Sequence, residues 1–252
     1  MQKIIGVVGG MGPYAGLDLL HKIFDQTKAS SDQEHLPVIM LSFPNKIADR
    51  SAFLSGKIKK NPGQAIAGLL KKLIKMGTDP IGIACNSAHA KPIFDCVLQN
   101  LDNKHHHKLV HMIEEVVLFI KEKYPQIGRV GVLSTYGTLK AGIYPQILKK
   151  FSIEAVQLDD TLQQRLIHPV LYDPAFGIKA QSSPVTEKAK ILIKPALQYL
   201  LKQKVEAIIL GCTELPLAMD EKTVQDIPII DSSSVLARAL IKRVDGSKLV
   251  DG

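Results

Sequence analysis

The stretch "IGVVGGMGPYAG", residues 5–16, returns as "VGVLSTYGTLKAG" at residues 130–142. Each copy is a short apolar, β-branched run, a glycine-containing turn and the start of a helix. That order reads as strand, turn, helix, the opening of a βαβ unit. A second pair keeps the spacing. "GIACNSAHA" (82–90) is matched by "IILGCTELP" (208–216), each a strand ending in cysteine and then small polar residues. Gly6 and Gly131 lie 125 residues apart, Cys85 and Cys212 lie 127 apart. The agreement predicts two similar α/β halves, each with one cysteine at the same structural place.

The rest of the chain alternates in the same way. Apolar strand candidates lie at 3–8, 37–43, 80–84, 129–134, 153–158, 206–211 and 227–231, with helical patterns such as 63–77 and 186–203 between them. Near-continuous apolar strands separated by helices imply parallel sheets covered on both faces. The expected fold is therefore two three-layer α/β/α domains related by a pseudo-twofold axis, with a site in the cleft between them. Residues 1–107 plus 226–252 are expected to form the first domain and 108–225 the second. The polar run "DNKHHHK" (102–108) reads as the linker, and "IPIIDSSSVLARALIKR" (227–243) as a returning strand and helix.

Composition narrows the function. An apolar fraction of 46% over 252 residues suits a globular chain with a real core. No apolar run approaches the ~20 residues of a membrane span, and "MQKIIGVVGGMG" is broken by glycines where a signal peptide would stay apolar. A cytoplasmic protein without membrane partners is expected. The net charge of +8 comes with five arginines (50, 129, 165, 238, 243), which do not cluster. Nucleic acid is therefore not an expected partner, and the charge supports only a mild pull on acidic substrates. Three cysteines, none in a C-x-x-C pair, argue against a disulfide framework and a zinc site.

Sites in open parallel sheets form at the carboxyl ends of the strands. Cys85 and Cys212 both belong there, each before a helix start with cap-like neighbours, Asn86–Ser87 and Thr213–Glu214. A helix N-terminus favours a thiolate and can hold a carboxylate. A lone cysteine ending an apolar strand is usually inert core, but two at matching repeat positions read as a pair. One thiolate can take a proton from a carbon centre and the other thiol can return one from the opposite face, with no cofactor. Cys96 has no counterpart in the second half and reads as packing.

Other motifs are weaker. "GMGPYA" (10–15) fits the dinucleotide pattern, but the second strand ends "MLSFPN" without the required carboxylate. The turn, Met11 included, reads instead as the lining of an active-site mouth. "HHHKLVH" (105–111) reads as a solvated stretch, and no metal is expected. His89 could tune the thiolate, orient a helix or serve as a structural histidine, and His168 is equally open. "IADRSAFLSG" (47–56) reads as a long connection in which Arg50, the lone arginine of the first half, could hold a carboxylate in bidentate fashion. Lys179 sits in the glycine-containing loop "FGIKAQ".

"GGMGPYA", "DRSAFL", "CNSAH", "GIKA" and "GCTELPLA" together resemble the aspartate/glutamate racemase family over nearly the whole chain, specifically its aspartate racemase-like branch. The resemblance implies a cofactor-independent racemase of an acidic amino acid, assembled as a homodimer, with Cys85 and Cys212 as the acid–base pair. It further implies that Asn86, Ser87 and Thr213 hold the α-carboxylate end of the substrate, and that Arg50 and Lys179 recognise carboxylates. Met11 and Glu214 complete the expected substrate contacts. Cell-wall glutamate racemases usually carry histidine after "GCT", and Glu214 there favours the aspartate type. Related broad-specificity racemases share much of this motif set. The first cysteine motif departs from the usual "PCNTAH" at Ala84 and Ser87.

Overall fold

The computed structural model describes residues 3–219 and 221–250. Two sheets organise it. In the first, β1 (Ile4–Gly9), β2 (Val38–Ser42), β3 (Thr78–Ile83) and the short β4 (Leu109–Val110) are parallel in the order β2-β1-β3-β4. In the second, β5 (Arg129–Ser134), β6 (Glu154–Gln157), β7 (Ala207–Gly211), β8 (Thr223–Val224) and β9 (Ile227–Asp231) are ordered β6-β5-β7-β9-β8, with only β8 antiparallel. These are the two parallel-dominated α/β/α layers that the repeat predicts.

Strand alternation shows why both faces need helices. Along β1, Ile5 and Val7 face one core and Val8 the other. Along β7, Ile208 and Leu210 face one core while Ala207 and Ile209 face the other. A strand apolar on both faces must be covered twice. In the first half, α1 (Pro13–Asp25) covers one face; α2 (Arg50–Leu54) stands at the strand ends; α3 (Pro62–Lys75) and α4 (Lys91–Gln99) cover the other. The second half is covered by α5 (Met112–Lys123), α6 (Tyr136–Ala141) and α7 (Ile143–Lys150). Beyond β6, α8 (Asp160–Leu162) passes through a π turn (Gln163–Ile167) into α9 (His168–Tyr172), followed by α10 (Glu187–Leu192) and α11 (Lys194–Lys202). Last comes α12 (Ser232–Asp245).

Three local expectations need correction. The helix read over 186–203 is two helices, broken at Ile193 because Pro195 cannot donate to a preceding carbonyl and its ring crowds that turn. The connection 47–56 contains α2, started by Asp49, whose carboxylate accepts from Ala52 N at 2.6 Å. The polar run 102–108 is a 3₁₀ turn, Asn103–Lys108, tied down where His106 Nε2 lies 3.1 and 3.0 Å from the carbonyls of Leu98 and Leu101.

The expected domain boundaries also shift. Strand β4 begins just past residue 107, yet it completes the first sheet. Strand β9 was expected to return to the first half with the C-terminus; it pairs with β7 in the second sheet. The return begins with α12, which places Leu236, Leu240 and Ile241 in the core beside Ile5 and Val7, and Leu249 beyond it joins the same core. Asp231 caps it, accepting from Ser233 N at 2.8 Å, so the chain changes halves at that cap. Residues 1–2 and 251–252 of the expected ranges lie outside the described residues.

Candidate active site

Strands β3 and β7 lie next to β1 and β5 in their sheets, and a cysteine follows the end of each. Both cysteines are almost covered, Cys85 with 4% and Cys212 with 3% of its surface exposed. They line one narrow cavity, with about 10 Å³ of free room, together with Met11, Arg50, Asn86, Ser87, Lys179, Thr213 and Glu214. Every site residue expected from the sequence therefore meets at one place.

Glu214 is the hub. Its side chain is 4% exposed and ion-pairs with Lys179 through Oε1, which also accepts from Gly12 N at 3.0 Å. Its other oxygen accepts from the Cys212 thiol at 3.1 Å and from the Thr213 hydroxyl at 3.4 Å. Burial alone would raise the Glu214 pKa, but Lys179 and these donors hold it below the usual carboxylate value. Lys179 shows the mirror effect: burial opposes its charge, Glu214 outweighs burial, and its pKa rises. Burial and the adjacent Glu214 carboxylate push Cys212 well above the usual thiol range, so it rests as a thiol.

The glycine turn after β1 serves this carboxylate. Gly10 adopts φ +85°, and a Cβ there would stand 2.9 Å from Phe43 N. A Cβ on Gly12 would meet Glu214 Oε1 at 3.2 Å. The α1 N-terminus is thus directed at an internal carboxylate, in the manner that dinucleotide folds direct theirs at a phosphate.

Cys85 sits in different surroundings. Its sulfur lies 3.3 Å from Ser87 Oγ. Arg50 Nη1 and Nη2 donate to the carbonyls of Ala48 (3.3 Å) and Met11 (3.2 Å), while its buried Nε has no hydrogen-bond partner. Burial opposes the Arg50 charge, but Cys85 and Asp49 beside it raise its pKa.

Asn86 is more committed than expected of a substrate ligand. Its Oδ1 accepts from Tyr144 OH at 2.6 Å and its Nδ2 donates to Ser232 Oγ at 2.9 Å, which in turn donates to Leu210 O at 2.8 Å. One amide hydrogen is left for anything in the cavity. His89 Nδ1 lies 2.9 Å from Cys85 O, and the ring packs on Phe94 and His111 at 5.5 and 4.8 Å. Burial, then His111, lowers its pKa to about 3, so it is a neutral ring holding the Cys85 backbone. His168 stacks on Tyr172 at 4.9 Å. Among the described residues no group of three His, Cys, Asp or Glu could hold a metal, and no helix is long and apolar enough to cross a membrane.

Asp49, Ser51, Thr135, Thr138, Tyr172 and Gly211 also line the cavity, and sequence reasoning did not single them out. The repeat held a signal for two: an offset of 125 carries Gly10 and Pro13 of the first turn onto Thr135 and Thr138.

The Asp/Glu/Hydantoin racemase family model matches residues 8–240. This chain belongs to that family. As racemases are isomerases, this family member is assigned to that class of enzyme. It is 31% identical to the aspartate racemase of Picrophilus torridus, with a TM-score of 0.79 over 99% of this chain and 96% of that one. It is 27% identical to the broad specificity amino-acid racemase RacX of Bacillus subtilis strain 168, covering 94% of this chain and 96% of RacX. A glutamate racemase of Francisella tularensis, solved with D-glutamate, shares its fold with a TM-score of 0.65 at 21% identity, over 99% of this racemase-family chain and 84% of that one.

Proposed function

We propose that this family member racemises aspartate, or an acidic amino acid of similar size, by proton transfer between two thiols. The observation that carries the reading is the meeting of Cys85 and Cys212, from equivalent strand ends, on one nearly closed cavity. Abstraction needs one ionised sulfur. Cys85 is the base for the substrate hand that presents its α-hydrogen to it, and Cys212, a thiol at rest, faces it as the acid. The C–H bond breaks, its proton goes to the Cys85 sulfur and its electron pair stays on the α-carbon. Cys212 then gives its proton to the opposite face, leaving a thiolate beside Lys179. The other enantiomer runs the same steps backwards. A dry, preorganised site favours such transfers.

Arg50 is the group best suited to the side-chain carboxylate. It is half-buried, retains a buried Nε without a hydrogen-bond partner, and keeps its charge. The likeness to the aspartate racemase supports the acidic substrate. A second reading, a broad-specificity racemase, is favoured by one observation: Glu214 already neutralises Lys179, which removes one of the two cations expected to select an acid. The likeness to RacX points the same way. The protein is further read as a cytoplasmic homodimer that needs no bound cofactor, which sedimentation and activity after exhaustive dialysis would check.

The test is exchange of the α-proton with solvent deuterium, run with both hands of aspartate, glutamate and a neutral panel. Cys85→Ala and Cys212→Ala are each expected to lower racemisation by at least about a hundredfold. Full racemisation in either variant would sink the two-thiol mechanism. Arg50→Gln should raise KM for aspartate by about tenfold or more and leave neutral substrates nearly unchanged if the acidic reading is right. Equal effects on both would favour the broad one.

A further inference from the structure

We propose that Tyr172 is a positioning residue whose hydroxyl, bonded to Ser51, latches the two halves shut across the cavity. Tyr172 ends α9 in the second half and Ser51 lies in the first turn of α2 in the first; their hydroxyl oxygens are 3.1 Å apart. This contact joins α2, which carries Arg50, to α9, against which Lys179 is held. Ser51 directly follows Arg50 in α2. On the other side, Ile178 N and Lys179 N donate to the carbonyls of Val170 and Leu171 at 2.9 and 3.1 Å, so Lys179 is strapped to α9. Holding Ser51 to Tyr172 therefore brings Arg50 and Lys179 to one chamber.

The ring is held for this task. His168 stacks on one side at 4.9 Å between centroids, and Lys179 Nζ lies 5.7 Å from the ring centre. Burial pushes the Tyr172 hydroxyl up to about 12, so it keeps its proton and stays a neutral hydrogen-bonding group. The π turn that aims α9 is pinned from beneath, where buried Gln163 Nε2 donates to Ser134 O at 2.8 Å. Such turns are frequent at functional sites. The deeper cross-cleft network, Tyr144–Asn86–Ser232, is wholly buried. It suits a pivot, while Ser51–Tyr172 suits the closing edge. With both thiols under 5% exposed, a substrate reaches them only when that edge opens.

The kinetic consequences rest on the racemase reading; the accessibility of the thiols does not. Tyr172→Phe keeps the ring and loses the bond, and Ser51→Ala removes the partner from the other half. The test is native-state alkylation of the full chain by iodoacetamide, with Cys85, Cys212 and Cys96 followed separately by peptide mass. Cys96, on α4 outside the cavity, is the internal reference. Each single variant should speed Cys85 alkylation about fivefold, the factor one neutral hydrogen bond carries, with Cys96 unchanged. The double variant should go no further than the singles. KM for the racemised amino acid should rise by a similar factor and kcat less. An unchanged Cys85 rate overturns the latch. So does a double variant with the product of the two effects, or acceleration of all three cysteines together. Should Tyr172→Phe fail to fold, Ser51→Ala decides. If the labelling pattern holds but no α-proton exchanges in the wild type, the latch stands and the racemase reading falls.

Discussion

Glu214 has the site's densest set of contacts, and its neighbours assign it a different role from the one its position in the motif suggests. It was expected to touch substrate. Its oxygens are instead occupied by Gly12 N, Lys179, the Cys212 thiol and Thr213. It acts on Cys212, keeping the proton there. Glu214→Gln removes the anion that raises Cys212 and frees the Lys179 cation beside it. The pH midpoint for Cys212 alkylation should therefore move down by about one unit or more; a midpoint that stays or rises would refute this. The same substitution strands a mostly buried lysine and should destabilise the fold by about 3 kcal/mol, read from denaturant midpoints. "GCTE" placed the glutamate beside the cysteine in sequence. That Lys179, thirty-five residues away, would neutralise it depends on a loop closing over the strand end, which no local pattern encodes. Asn86 is similar: its neighbour relation to Cys85 was plain, but its partners Tyr144 and Ser232 come from distant helices.

At the level of elements, the cleft is set by how closely α2 and α6 approach. A Cβ on Gly137 would stand 2.6 Å from Ser51 Cα, so only glycine lets α6 lie against α2. Gly137→Ala should cost about 1–3 kcal/mol through overpacking and lower kcat/KM as well, because relief comes by parting the two halves. Unchanged melting and activity would show that the contact is slack. The strands were readable because each is a compact apolar run that must be buried on both faces, and the repeat doubled the evidence. The break at Ile193 was readable in principle from Pro195. Helix α2 was hidden by its five-residue length, since so short a helix owes its existence to the Asp49 cap and not to periodicity. Tyr172 carried no signal: it lies forty residues before Cys212, on a helix aimed by a π turn that only packing specifies.

The molecule as a whole is tied together by a helix that leaves one sheet to cover the other. Strand β9 extends the second sheet and α12 seals the first, so neither half owns a complete core without the chain's last segment. Acid should expose another shared weakness. His89 is neutral in the fold, lowered by burial from 6.5 to about 3. Between those values the unfolded chain binds a proton that the folded one refuses, so stability falls as pH falls, by about 2 kcal/mol by pH 5. His89→Asn should flatten that slope between pH 6.5 and 4 in denaturant titrations. His111, shifted down mainly by burial too, retains part of it, and an unchanged slope would contradict the assignment. One feature reaches further than stability: the two sulfurs are not twins, since Ser87 attends one and Glu214 the other. Mirror-image amino acids have equal free energies in water, so their equilibrium constant is one, whatever the enzyme does. The specificity constants for the two hands must then be equal at every pH. Any preference built into this lopsided chamber can surface only as offsetting differences in turnover and saturation, the hand that saturates first being the one that turns over more slowly.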